Sequence, residues 1–192
     1  MDDYKGGYHP DVKRLTSIDA YDQRTPEWIK VRQNFMTSTD TSVILKYKGR
    51  DCSEYNTIEE IEFSKYKVIQ SNYNEKYQIW GTYFEEIVKE YYSKICKKIY
   101  DLGFIIHSND RIGGSPDGIT EDGYLVEIKC PYSKDLCKKP PPGHWIQMQI
   151  AMEVCDIDKC IYIQSKFEAN VVAYHQSSRK KLHGEFPKDL TT

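Results

Sequence analysis

The stretch from Gly113 to Pro131 reads Gly-Gly-Ser-Pro-Asp-Gly-Ile-Thr-Glu-Asp-Gly-Tyr-Leu-Val-Glu-Ile-Lys-Cys-Pro, and it constrains the chain more than any other. It places Asp117 on a Pro/Gly-bounded turn and predicts a strand over 125–129. Side chains alternate across a strand, so Glu127 and Lys129 share one face while Val126 and Ile128 share the other. A hairpin built this way brings two carboxylates and an ammonium to one end. Mg²⁺ takes one or two protein carboxylates and keeps positions for phosphate and water. A lysine beside them can hold or deprotonate a water nucleophile. Such a set suits metal-assisted hydrolysis of a phosphodiester.

Glu-x-Lys alone carries little weight, since it arises about once per 250 positions by chance and is usually a salt pair on a solvated strand. Context adds the weight. The strand flanks are apolar, Ser115-Pro116-Asp117-Gly118 lies upstream, and Cys130-Pro131 closes the run.

The 192 residues fit one domain, 1–192, long enough to bury a single core. With 39% apolar and 29% charged residues, the composition is that of a globular chain. The amino end lacks the apolar run of a secretory signal, and nothing approaches the roughly 20 apolar residues that span a bilayer. The expectation is a soluble, intracellular protein with no membrane partner. Net charge is −2, but carboxylates that hold a metal count as negative in that sum. Positive charge is clustered in Arg24, Lys30 and Arg32, in Lys134, Lys138 and Lys139, and in Arg179, Lys180 and Lys181. Each cluster can contact phosphate or simply face solvent. The six cysteines show no C-x-x-C pair and no zinc-finger spacing, so they are expected as reduced thiols.

Residues 1–23 read as a loosely ordered arm. Thr25-Pro26-Glu27 supplies a capping hydroxyl, a first-turn proline and an acid, predicting a helix to about Phe35 with Trp28, Val31 and Phe35 on one stripe. Thr57-Ile58-Glu59-Glu60 has capping-box spacing and opens a helix to about Gln70. A longer helix is predicted from about Tyr77 to Lys97, with Tyr83, Ile87, Tyr91 and Ile95 in phase. Glu85 lies on it, while Glu86 points about 100° away. Short β-type runs follow at 99–107, 110–114 and 124–130, then a helix from about His144 to Cys155, then runs at 159–167 and 170–175. Residues 176–192 form a weakly patterned tail. This order predicts a mixed α/β (α+β) domain with a central sheet flanked by helices. Gln149 is in phase with Trp145 and Met152, whereas Gln147 faces elsewhere.

Five motifs in order resemble the PD-(D/E)xK nuclease superfamily and, within it, the lambda-type alkaline exonuclease or YqaJ-like viral recombinase family. They are Arg24-Thr-Pro-Glu-Trp28 with Arg32 and Thr37-Ser38; Trp80-Gly81 with Glu85; Ser115-Pro116-Asp117-Gly118; Glu127-Ile128-Lys129-Cys130-Pro131; and Gln147-Met148-Gln149. The resemblance implies a restriction-endonuclease-like core, with a mixed sheet between helices. It implies that Asp117, Glu127 and the Ile128 backbone carbonyl ligate Mg²⁺ or Mn²⁺, two ions per site, with Glu85 completing the set. Lys129 would position the attacking water, and Gln149 would orient Lys129, water or the scissile phosphate. Arg32 would bind a DNA 5′-terminal phosphate with Ser38 or Thr39. The implied activity is 5′→3′ degradation of linear duplex DNA, leaving a 3′ overhang for a single-strand annealing protein. A homotrimer is implied too, with a monomer as the alternative because the chain ends soon after its last predicted strand. In a viral setting the compartment would be host cytoplasm or nucleus.

Rival readings are a structure-specific or nicking endonuclease of the same superfamily and a non-catalytic DNA-binding remnant of the fold. An iron–sulfur nuclease needs a clustered cysteine spacing that Cys130, Cys137, Cys155 and Cys160 lack.

Overall fold

The computed structural model describes residues 8–38, 40–41, 46–47, 50–51 and 75–167. Thr39, Cys52, the expected helix from Thr57 to Gln70, the run 170–175 and the tail 176–192 with Arg179, Lys180 and Lys181 lie outside the described residues. Among those described, no helix is long and apolar enough to cross a membrane.

The opening stretch, expected as an arm, instead contains helix α1 (Pro10–Thr16). His9 caps it by accepting from the Asp11 N–H, and Val12 and Leu15 are each only 2% exposed. Two apolar residues in seven are too few for periodicity to register, yet both reach the core. Arg14 fixes the helix in place by donating to the carbonyls of Cys155 (2.8 Å) and Asp156 (3.2 Å).

Helix α2 (Pro26–Arg32) starts where its capping signal puts it, with Thr25 Oγ1 accepting from the Trp28 N–H at 3.2 Å. It stops at Arg32, short of Phe35, and none of its residues is fully buried. Trp28, on the expected stripe, is only partly buried and turns its polar edge to Ser115. Strand β1 (Met36–Thr37) follows, then the short antiparallel hairpin of β2 (Lys46–Tyr47) and β3 (Arg50–Asp51).

Helix α3 (Glu75–Ile95) is the long helix that the aromatic stripe predicts. After it come β4 (Ile99–Tyr100), β5 (Ile105–Ile106), β6 (Ile112–Gly114), β7 (Gly118–Thr120) and β8 (Leu125–Lys129). Helix α4 (Pro142–Cys155) ends in a left-handed cap at Asp156, and β9 (Cys160–Gln164) closes the described fold.

The single central sheet expected from the sequence is divided. One sheet has the order β1-β6-β5, with β1 parallel to β6. The larger has the order β4-β7-β8-β9, antiparallel except for the parallel pair β8 and β9. The run 99–107 breaks because Leu102 and Phe104 are buried between two strands that join different sheets.

Helices cover both faces of the larger sheet. Leu125 and Ile119 pack with Ala151, Val154 and Cys155 of α4 and with Val12 and Leu15 of α1. On the other face Val126, Ile128 and Ile99 pack with Val88, Phe84 and Tyr92 of α3. Strand β8 therefore feeds both cores, which explains why 125–128 are buried without a break. Each aliphatic side chain buried in this way stabilises by roughly 1.5–3 kcal/mol.

Candidate active site

The site forms where β7 begins and β8 ends. Gly118 pairs with Val126, and a Cβ at Gly118 would collide with Ile99 and with the Tyr100 backbone. The turn joining the strands is locked by Thr120, whose hydroxyl donates to Asp122 (2.7 Å) and accepts from the Tyr124 N–H (3.1 Å). Gly123 takes the left-handed conformation (φ 85°) that this turn needs.

Asp117 stands one residue before β7. Its N–H reaches the Val126 carbonyl at 3.2 Å, and its Oδ2 accepts from the Ile128 N–H at 2.6 Å. The carboxylate thus continues the ladder where the backbone of β7 has stopped. Along β8, Leu125 and Lys129 bond toward β9, so Ile128 directs its backbone groups to the β7 edge, beside Asp117. Glu127 is 2% exposed and lies opposite Tyr162 of β9. The Lys129 ammonium is in ion-pair contact with Glu127 Oε1. Among the described residues no donor is aligned for a directed hydrogen bond to that oxygen.

Glu85 completes the cluster from α3, its side chain 15% exposed against 56% for Glu86. Burial, reinforced by the Asp117 charge, pushes the Glu85 carboxyl up to about 7. Burial raises Glu127 to about 7 as well, with Lys129 working against it and Asp117 with it. Asp117 is raised by burial despite Lys129 and the Ile128 N–H. Burial would lower the Lys129 amine, but Glu127, Asp117 and Glu85 more than offset it, so the amine lies above its ordinary value. Lys129 is therefore a cation at neutral pH. That favours holding a water over deprotonating one.

Three carboxylates that disfavour one another's ionisation suit a hard divalent cation. Asp117, Glu127, the Ile128 carbonyl and Glu85 would hold it. Among the described residues no three or more Asp, Glu, His or Cys side chains are gathered closely enough to hold a metal ion by themselves. Mg²⁺ does not require such a set, because it retains water and substrate oxygens.

A second cluster adjoins the first. Trp28 Nε1 donates to Ser115 Oγ at 2.8 Å, and the Arg32 guanidinium lies 4.2 Å from the Trp28 ring centroid. Burial lowers the Arg32 pKa while Asp40 opposes the change. The Thr37 hydroxyl is committed to Asp40 (2.7 Å), and Ser38 Oγ lies against Gly114. Trp28 thus links Arg32 to Ser115, two residues before Asp117, and Ser38 lies against the neighbouring Gly114.

Gln149 is placed elsewhere. It lines a cleft of about 450 Å³ with Trp145, Tyr124, Met152 and Lys159, between α4 and β9. At 100° per residue, Gln147 falls in the middle of the α4 arc buried by Ile146, Met148, Ala151 and Val154. The Trp145 phase that singled out Gln149 marks the exposed side, since Trp145 is 44% exposed.

Sequence reasoning grouped Arg24 with Lys30 and Arg32. The structure sets its Nη2 3.1 Å from both Glu85 oxygens and its Nη1 3.4 Å from Glu86. Nothing in the motif spacing pairs those residues. Three of the six cysteines (Cys130, Cys155 and Cys160) are pushed up to about 12 by burial, in keeping with free, unreactive thiols.

A mixed sheet between helices, with acids at the open end of one hairpin, is the restriction-endonuclease-like architecture. The chain belongs to the YqaJ-like viral recombinase family, whose domain matches residues 27–158. It resembles the crystal structure of the alkaline exonuclease LHK-Exo from Laribacter hongkongensis, with a TM-score of 0.55 and 25% identity over 74% of each chain. The LHK-Exo complex with dAMP matches equally well, at a TM-score of 0.55 over 73% of each chain. An uncharacterized protein of Acanthamoeba polyphaga mimivirus is 26% identical, over 86% of this chain and 34% of its own length. The chain thus spans about a third of that relative.

Proposed function

We propose that this chain is a Mg²⁺- or Mn²⁺-dependent deoxyribonuclease that degrades linear duplex DNA from its ends. The observation that carries the reading is the buried Glu85–Asp117–Glu127 cluster with a cationic Lys129 at the cut end of β7. Likeness to an alkaline exonuclease supports action at DNA ends. A divalent cation bound there supplies Lewis-acid activation of water and of the phosphodiester. The protein residues do the rest. Asp117 and Glu127 hold the site, and Glu85 shares in it. The Lys129 ammonium orients the attacking water and offsets charge that develops on phosphate. Arg32, with Ser38 assisting, seats a 5′-terminal phosphate, giving 5′→3′ polarity and a 3′ overhang for an annealing partner. Two ions per site and a trimeric ring belong to the same proposal.

The test is a Mg²⁺ digestion of duplexes labelled at either end, with and without a 5′ phosphate, beside closed circular DNA. Release of the 5′ label first, favoured by a 5′ phosphate, is expected. Cutting of the closed circle would favour an endonuclease. Asp117→Ala and Lys129→Ala should each lower the rate at least ~10²-fold while largely sparing DNA affinity, which phosphate contacts dominate. A wild-type protein with no metal-dependent hydrolysis would leave a DNA-binding remnant.

A further inference from the structure

Arg24 is delivered to the acidic cluster by a loop fixed on both sides. Before it, the Gln23 side-chain amide donates to the Leu102 carbonyl at 3.1 Å and to the Pro116 carbonyl at 2.9 Å, the latter adjoining Asp117. After it, Thr25 donates to the Asp22 carbonyl at 2.8 Å and caps α2. Arg24 itself adopts φ 71°, a left-handed conformation that side-chain-bearing residues seldom take and that recurs where function holds them. Its fork meets both oxygens of Glu85, the half-buried acid, and reaches Glu86 with its other arm.

We propose that Arg24 is a place-holder cation. It occupies Glu85 while the site is without metal, gives that carboxylate up to the divalent ion, and turns its fork to a phosphodiester oxygen of the bound strand while staying anchored near Glu86. The proposal rests on the nuclease reading above. Two cations cannot share one carboxylate at close range without mutual repulsion, whereas phosphate offers the displaced guanidinium a bidentate acceptor. Lysine supplies the charge without the fork.

The experiment compares wild type, Arg24→Ala and Arg24→Lys in two ways. Calorimetric titration with Mn²⁺ alone reports metal affinity, and end-labelled duplex in Mn²⁺ reports cleavage. Removing a competing positive charge should tighten Mn²⁺ binding about three- to tenfold in Arg24→Ala, yet cleavage should fall about tenfold or more as the phosphate contact goes. Arg24→Lys should bind Mn²⁺ as wild type does and cleave at an intermediate rate. That opposed movement is the signature, because a merely structural residue would lower both together. Parallel loss of affinity and rate in Arg24→Ala, or no change in either, overturns the proposal. If wild type neither binds Mn²⁺ nor cleaves, the nuclease reading itself fails.

Discussion

At the scale of single residues the site is a set of charges kept under strain by burial. Glu85 and Glu127 titrate near 7 in the folded protein against 4.5 for an ordinary glutamate. A folded pKa raised above the unfolded one means that the native state binds more protons, so its stabilising effect is complete below about 4.5 and is lost as pH rises through about 7. In EDTA the protein should therefore lose about 2–4 kcal/mol between pH 5 and pH 8, read as a falling denaturant midpoint. Mg²⁺ at pH 8 should recover much of it. Trp28 offers a second check, since Trp28→Phe keeps a ring under Arg32 but deletes the bond to Ser115. Losing that bond costs about 0.5–1.5 kcal/mol. The expected result is a preference for 5′-phosphorylated over 5′-hydroxyl ends several-fold weaker than in wild type, measured as a ratio of initial rates.

At the scale of elements, the hairpin of β7 and β8 carries the proposed chemistry, and its tolerance of change is small. Gly118→Ala would press a methyl group into Ile99 and the Tyr100 backbone, so β7 must move off β4. We expect about 1–3 kcal/mol of destabilisation by chemical denaturation, together with a lower rate, because Asp117 shifts with the strand. The acid–lysine end of this hairpin was legible in the sequence because strand alternation fixes faces locally, and α3 was legible because its aromatic stripe is long. Helix α1 was not, since Val12 and Leu15 declare themselves only against α4. Neither was the Arg24–Glu85 pair, which joins residues far apart in the chain through a loop no propensity describes. Gln149 was singled out by phase with Trp145 and Met152, and that stripe on α4 lines the cleft with Tyr124 and Lys159.

At the scale of the whole molecule, a net charge of −2 leaves phosphate attraction to a few cationic patches, and on the proposed reading the carboxylates of the site would oppose a DNA strand until a cation offsets them. Ca²⁺ should therefore raise duplex affinity at least ~10-fold over EDTA, measured by fluorescence anisotropy, by neutralising Glu85, Asp117 and Glu127. Equal affinity in both buffers would show that the acids do not gate binding. The division into two sheets bears on the same point, since Ser38 and Ser115 follow β1 and β6 of one sheet while Asp117 precedes β7 and Glu127 lies on β8 of the other. At the start of β7, Asp117 Oδ2 accepts the Ile128 N–H that a longer β7 would take with a backbone carbonyl. The length of β7 thus decides whether this acid stands at the end of the ladder. One more residue of strand would satisfy Ile128 through the backbone and displace the acid, so the proposed activity would depend on a ladder that stops one rung early.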